Sequence, residues 1–221
     1  MVETAAAATK GKAWLSIAPM TGEEVTRSKD GQAWRIGGPD EIAWIVNSVD
    51  GLSRSITAAI PPSFDAYATI LLPGEPNIRF DVQQEHEQER ALLRLFEAHA
   101  APQSWWLGYL ETGASDIVFW DAPKVPGYYQ SWNYVLVNAG PEEALTWRPA
   151  RERNWKALEL PELIFPADRS WLMSTLWDDD GSCVGGSTSL IEALVADPVC
   201  GSRARRVGIE QDRTPPEFSE S

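Results

Sequence analysis

Residues 163–196 constrain the fold more than any other part of the chain. They begin with an apolar segment, turn at a Pro-Ala-Asp corner, continue into a second apolar segment and turn again at Asp178-Asp179-Asp180-Gly181. A third short segment ends at Gly185-Gly186 and is followed by apolar residues at helical spacing. Short apolar runs between turn residues are typical of strands. The stretch therefore predicts a hairpin that leads into a helix, and its two polar corners are the first places to look for a site.

The remaining segments indicate strands in runs, with a few helices between them. Helices are predicted at 40–49, 82–100 and 141–147, and strands at 54–60, 64–72, 105–110, 117–120 and 132–138. Because strand and helix do not alternate regularly, the pattern favours an α+β fold, in which three to four helices pack on a mostly antiparallel, twisted sheet. We expect a disordered N-terminal segment at 1–12, a single domain at 13–205 and a disordered acidic tail at 206–221.

The chain is strongly acidic. Its 32 Asp and Glu exceed its 19 Lys and Arg and give a net charge of −13. Such a charge repels phosphate backbones and argues against nucleic-acid binding. The N-terminus has no basic start before an apolar core, and no apolar run reaches the roughly 20 residues that cross a bilayer. We therefore expect a cytoplasmic protein without membrane association, whose protein partner would be basic.

Cysteine and histidine are scarce. Cys183 and Cys200 are the only cysteines, and they fit two reduced thiols of a cytoplasmic protein better than a disulfide framework. His86 and His99 fall on roughly opposite sides of one predicted helix, so they cannot share a metal ion. Histidine is the commonest general base and zinc ligand. The sequence therefore predicts no catalytic residue, metal or cofactor, while catalysis by carboxylates alone stays open.

The acidic turn invites a metal hypothesis. Asp178, Asp180 and Ser182 match positions 1, 3 and 5 of a calcium loop. However, Cys183 stands where that loop needs glycine, and Ser189 stands in place of its bidentate glutamate. The template fails. A solvated turn is favoured, because Asp and Gly form turns through local hydrogen bonds, and a cation or a partner remains the alternative.

Residues 185–189 open the last predicted helix. Phosphate can bind at such a place, but neither a Walker loop nor a dinucleotide-binding glycine pattern is present. Ser189 and Glu192 instead fit a capping box before an apolar stripe. Helix capping is therefore favoured over a bound anion.

Tryptophan is unusually frequent, with 11 residues in the chain. Neighbouring strand residues point to opposite faces of a sheet. Trp105 and Trp106 therefore require either a sheet that is covered on both faces or one exposed ring. Exposed aromatic rings anchor interfaces and stack on ligands. Most rings are expected in the core and one to three at a surface groove, for which the best candidates are Trp106, Trp120, Tyr128 and Tyr129.

Some segments resemble those of known proteins. Residues 105–113 and 165–172, with Asp178-Asp179-Asp180 and Gly185-Gly186, resemble a group of uncharacterised bacterial proteins over roughly 40–215. That resemblance implies no activity. The strand-rich middle and the acidic charge are also loosely similar to small bacterial immunity proteins, which neutralise toxins.

Two functions of different classes follow from these observations. The leading hypothesis is a non-enzymatic binding protein that uses an acidic, Trp-rich surface, with an immunity or adaptor role as a special case. The alternative is a small-molecule or carbohydrate-binding protein, or a carboxylate-based enzyme, with an aromatic cleft. Besides the aromatic candidates, the predicted binding residues come from the two corners and are Asp168, Arg169, Asp178 and Asp180.

Overall fold

A computed structural model describes residues 25–51, 53–72, 82–111, 118–128, 132–148, 160–176, 179 and 181–216. Within these residues the chain forms one antiparallel sheet of ten strands together with four α-helices. The predicted α+β fold is confirmed. The N-terminal segment at 1–12 lies outside the described residues, as do the last residues of the predicted tail.

The sheet is continuous from one edge to the other. Its strands follow the order β1-β2-β6-β4-β7-β8-β9-β3-β10, with β5 beside β6, and every pairing is antiparallel. The strands are β1 (Thr26–Lys29), β2 (Gln32–Ile36), β3 (Ala66–Leu71), β4 (Trp105–Leu110), β5 (Val125–Pro126), β6 (Asn133–Ala139), β7 (Leu163–Pro166), β8 (Leu172–Thr175), β9 (Gly181–Gly186) and β10 (Ala204–Val207).

The helices cover both faces of the sheet. They are α1 (Pro39–Val46), α2 (Val82–Ala98), α3 (Pro141–Thr146) and α4 (Thr188–Ala196). Buried side chains of α2, α3 and α4 pack on one face in a first core, and those of α1 pack on the other face in a second core. Because both faces are buried, β3, β4, β6 and β7 are almost continuously apolar instead of alternating with polar residues.

The covered faces decide the Trp105-Trp106 question. Trp105 enters the first core and Trp106 enters the second, and they are only 2% and 5% exposed. The whole of β4 is buried, as expected for a central strand between two helical layers. Of the two alternatives left open by the sequence, the structure has the sheet that is covered on both faces.

The stretch 163–196 folds as predicted, with β7, β8 and β9 leading into α4. The cap differs from the prediction. Ser187 precedes the helix and its side chain accepts a hydrogen bond from the backbone N–H of Leu190 at 3.3 Å. At Gly185 an added Cβ would meet Ile60 and Phe64 at 2.5 Å, so close packing accounts for this glycine without a bound phosphate.

Two predicted strands are wrong. In 54–60, Ile56–Ala58 forms a short 3₁₀ turn, and Ile60 N–H donates to the Ile56 carbonyl at 3.0 Å. This turn directs Ile56 and Ile60 into the second core. Their burial there overrides the strand propensity of the segment. In 117–120, the described residues form a turn because Phe119 has φ of 57°, which is incompatible with a strand.

The C-terminal segment also differs from the prediction of disorder from residue 206. Val207 completes β10, and Ser55 and Asp212 form a β-bridge. Arg213 then makes an ion pair with Asp179, with Nε and Oδ2 at 2.9 Å. Burial of apolar Val207 and a partly buried ion pair hold residues 206–216 on the sheet, which composition alone did not indicate.

None of the described helices is both long enough and apolar enough to cross a membrane.

Candidate functional site

The two polar corners of residues 163–196 lie at opposite ends of β8. One corner joins β7 to β8 and the other joins β8 to β9, and both pairings are antiparallel. The four residues of β8 separate the corners by roughly 13 Å at about 3.3 Å per residue. Asp168 of the first corner and Asp179 of the second therefore lie at opposite ends of this strand.

The first corner is an ordered, exposed turn. The backbone N–H of Asp168 donates to Gln103 Oε1 at 2.8 Å, and that of Ser170 donates to Asp168 Oδ1 at 3.0 Å. Partial burial raises the pKa of Asp168, but hydrogen bonds involving Gln103 and Ser170 outweigh it and hold the pKa below its usual value. Arg169 has φ of 60°, and its guanidinium lies 5.5 Å from the ring centre of Trp44. These contacts stabilise the turn and leave its side chains at the surface.

The second corner borders a small polar cleft of about 190 Å³. Arg213 closes one side, because its Nε and Nη2 bond both carboxylate oxygens of Asp179 and its Nη1 donates to the Ser53 carbonyl at 2.6 Å. Asp212 accepts hydrogen bonds from the backbone and hydroxyl of Thr214, which lower the pKa of Asp212. No aromatic ring is among the described lining residues. The predicted residues Asp178 and Asp180 lie outside the described residues.

Two of the aromatic candidates are integrated into the second core. Trp106 packs there with Arg35 above its ring at 4.4 Å. The sequence prediction of an exposed Trp106 is therefore wrong, because α1 covers this face of β4. Tyr128 is half-buried, stacks on Tyr134 at 6.2 Å and shares a short hydrogen bond with Ser174, and its pKa is raised by burial. Tyr129 lies outside the described residues.

Trp120 is the aromatic candidate that the structure places in solvent. Its side chain is 75% exposed, against 37% for the other exposed large apolar residues described, Val25 and Ile209. The remaining described tryptophans are at least partly buried; they are Trp34, Trp44, Trp105, Trp106, Trp132, Trp147 and Trp171. Trp120 is therefore the clearest candidate contact residue.

The Trp120 turn, residues 118–122, is held from several sides. The ring of Phe119 points inward and meets Trp147 edge-on at 5.6 Å, and the backbone N–H of Ala122 donates to the Phe119 carbonyl at 2.8 Å. Arg27 on β1 contacts Asp121, with Nε 3.4 Å from Oδ2 and Nη2 3.3 Å from the carbonyl. A left-handed backbone costs a non-glycine residue about 1–2 kcal/mol. Here it turns Phe119 into the core and leaves Trp120 outside.

A buried polar cluster at the ends of β4 and β7 was missed by the sequence. Arg148 Nη2 bonds both carboxylate oxygens of Glu162, at 2.8 and 2.7 Å, and its Nη1 donates to the Leu160 carbonyl at 3.1 Å. Glu89 accepts from the backbone N–H of Leu160, and Arg148 lies 5.1 Å from the ring centre of Tyr109. Burial raises the pKa of Tyr109. These groups bond strand ends and are closed to solvent, which suits a structural role.

Sequence reasoning could not find this cluster, because its members are far apart in the chain and no motif joins them. Elsewhere among the described residues, no group of three or more His, Cys, Asp or Glu could hold a metal ion. No family model, curated protein or solved structure matches the chain. The candidate binding surface is therefore identified from the exposure and the contacts of the described side chains. These single out the Trp120 turn.

Proposed function

We propose that this is a non-enzymatic binding protein that engages another protein through the Trp120 turn. The observation that carries the proposal is a tryptophan side chain that is 75% exposed on a turn whose neighbours are fixed. Tryptophan is enriched among the residues that dominate interface energies.

The energetics support a contact role. Burying most of a tryptophan side chain removes on the order of 150 Å² from water, which corresponds to roughly 4 kcal/mol at about 25 cal/mol per Å² before the costs of association. Those costs fall when the contact is preorganised. The inward ring of Phe119 and the contacts of Arg27 with Asp121 preorganise the Trp120 turn.

The charge of the chain favours a basic partner. A net charge of −13 attracts a positively charged protein over long range and repels phosphate backbones and anionic membranes. We place this function in the cytoplasm, because Cys183 and Cys200 are both free and buried, as expected for thiols in a reducing compartment. An immunity or adaptor role would be a special case of the same binding activity.

The alternative of a sugar-binding or enzymatic cleft has less support. It needs tryptophan rings in one pocket with Asp168 or Asp178. Asp168 lies at the end of β8 away from the cleft that Asp179 lines, and the described lining of that cleft holds no aromatic ring. The geometry therefore favours the binding protein over this alternative.

The test is capture of a partner by the tagged full chain and by its Trp120→Ala variant, from lysate of the source cell, followed by mass spectrometry. A stoichiometric partner is expected with the unsubstituted chain. Its affinity for Trp120→Ala should fall about 30-fold, as for an interface residue worth about 2 kcal/mol. Raising the salt concentration should slow association, since long-range attraction is screened.

Ile209→Ala is the matched control, because it also removes an exposed apolar side chain but lies beyond β10, at the other edge of the sheet. It should bind the partner as the unsubstituted chain does. Both variants should keep the melting temperature, since exposed substitutions change stability by about 0.5 kcal/mol or less. Equal recovery of the partner by Trp120→Ala would overturn the proposal.

A further inference from the structure

Arginine stacked on an aromatic ring and paired with a carboxylate recurs in this protein. Arg35 lies 4.4 Å from the ring centre of Trp106, and its Nη1 is 3.2 Å from Glu41 Oε1. Arg148 lies over Tyr109 and bonds Glu162 through Nη2 at 2.7 Å. In each case the ring attracts the cation through its negative face, and the carboxylate orients the guanidinium through hydrogen bonds.

Trp120 and Asp121 present two of the three components of such an arrangement at the surface. They are consecutive residues in one turn and both are exposed, Trp120 by 75% and the Asp121 side chain by 55%. Among the described residues, arginines lie over Trp106, Tyr109 and Trp44, and no cation lies over Trp120. The position of the stacked cation is therefore open to solvent.

Asp121 retains capacity for a second cation. Its contact with Arg27 is long, at 3.4 Å between Nε and Oδ2, compared with 2.7 Å in the Arg148–Glu162 pair. A carboxylate has about four acceptor sites and can take a bidentate arginine. Asp121 can therefore bond an incoming guanidinium while it keeps Arg27.

We propose that the Trp120 turn receives an arginine side chain of a basic protein partner, which stacks on Trp120 and pairs with Asp121. This inference rests on the proposed function and specifies the chemistry of the partner. The net charge of −13 attracts the arginine-bearing surface. Arginine fits better than lysine, because its planar guanidinium stacks on a ring and bonds a carboxylate at the same time.

The test uses the full chain labelled with ¹⁵N at its tryptophan indoles, and three peptides: acetyl-Gly-Arg-Gly-amide and its lysine and citrulline analogues. The indole signal of Trp120 is assigned by its loss in Trp120→Phe. We expect the arginine peptide to shift this signal with an affinity about threefold higher than the lysine peptide. The citrulline peptide, which has nearly the same shape without the charge, should leave it in place.

Two substitutions with opposite expected effects sharpen the test. Asp121→Asn should weaken the arginine peptide about threefold, because it removes the pairing carboxylate. Arg27→Gln should strengthen binding about twofold, because it removes a positive charge that repels the incoming guanidinium, while the ring of Phe119 and the Ala122–Phe119 hydrogen bond still hold the turn. Glu142→Gln and Lys124→Gln are the matched controls, since they change the net charge by the same amount without changing the side chains of Trp120 and Asp121, and their effects should be smaller.

The outcomes separate this inference from the proposed function. A Trp120 signal that moves equally with the citrulline peptide, or stays fixed while other indole signals move, would overturn the arginine site. If the lysate partner still depends on Trp120 in that case, the binding function stands with a different contact chemistry. A Trp120 signal that moves with protein concentration alone would overturn the basic partner in favour of a second copy of the chain.

Discussion

Three non-glycine residues among those described have a left-handed backbone, and each lies in a turn that presents side chains to solvent. Described non-glycine residues with positive φ are Asp30, Phe119 and Arg169, at 54°, 57° and 60°. Asp tolerates this region through local hydrogen bonds, whereas an aromatic residue does so only when its surroundings impose it. At Phe119 the imposing contact is the ring of Trp147 at 5.6 Å. The exposure of Trp120 is therefore a consequence of burial at its neighbour.

The hairpin turn Asp30-Gly31 gives a residue-scale prediction. Gly31 has φ of +79°, and an added Cβ would have no atom within 4 Å, so Gly31→Ala adds backbone strain without a clash. We expect it to lower the free energy of unfolding by about 1 kcal/mol, measured by urea denaturation. Gly208→Ala is the control, because its φ is not positive and its nearest contact would be ordinary at 3.5 Å. Equal stability of the two variants would contradict the strain argument.

At the scale of elements, buried arginines hold helices to the ends of strands. Arg148 follows α3 and bonds Glu162 and the Leu160 carbonyl at the start of β7, while Glu162 Oε2 accepts the Leu110 N–H at the end of β4. Arg203 similarly bonds Gln88 of α2 and donates to the Leu72 carbonyl at 2.6 Å. The chain thus satisfies polar groups of the strand ends with charged side chains in place of water.

Removing one partner of these buried contacts should lower the free energy of unfolding. Arg148→Met leaves Glu162 with its charge in a nearly closed site, where its side chain is only 12% exposed. We expect the free energy of unfolding to fall by about 3–5 kcal/mol, as for a buried ion pair that loses one partner. Replacing both residues, Arg148→Met with Glu162→Leu, should recover a large part of that loss, and chemical denaturation of the variants measures it.

The exposed ion pair between Arg206 and Glu192 provides the control. Its atoms are 3.9 Å apart and its side chains are 54% and 66% exposed, so Arg206→Met should change stability by less than about 0.5 kcal/mol. A loss in Arg148→Met no larger than in this control would show that the buried cluster contributes little to the fold.

At the scale of the whole molecule, the net charge of the chain and the charges around the Trp120 turn differ. The chain carries −13, whereas the described charges beside the Trp120 turn form pairs of opposite sign, Arg27–Asp121 and Lys124–Glu111. Net charge governs how fast a basic partner arrives, and the aromatic contact governs how long it stays. The proposed function uses both.

The two thiols report on the stability of the whole molecule. Cys183 and Cys200 are 1% and 0% exposed, and burial raises the pKa of each to about 12. A raised pKa keeps a thiol protonated, and only the thiolate is a strong nucleophile. At pH 8 we therefore expect a disulfide reagent such as Ellman's reagent to react only as fast as the native chain unfolds. Reaction of either thiol before unfolding, followed with a fluorescence probe, would contradict this.

The sequence by itself determined most elements of the fold. Continuous apolar runs at 64–72 and 105–110 became buried central strands, and the Glu- and Gln-rich start with later leucines became α2. The run of strands without regular helices between them gave the α+β class. These properties depend on local patterns, because burial on one or both faces leaves a periodicity along the chain.

Tertiary structure decided which polar and aromatic residues meet and which of them reach the surface. Trp106 and Trp120 have the same side chain, yet α1 covers the first, whereas the left-handed Phe119 leaves the second in solvent. The Arg148–Glu162 pair joins segments that no local pattern connects. Exposure and long-range pairing are set by which elements pack together, and neither leaves a periodic signal in the sequence.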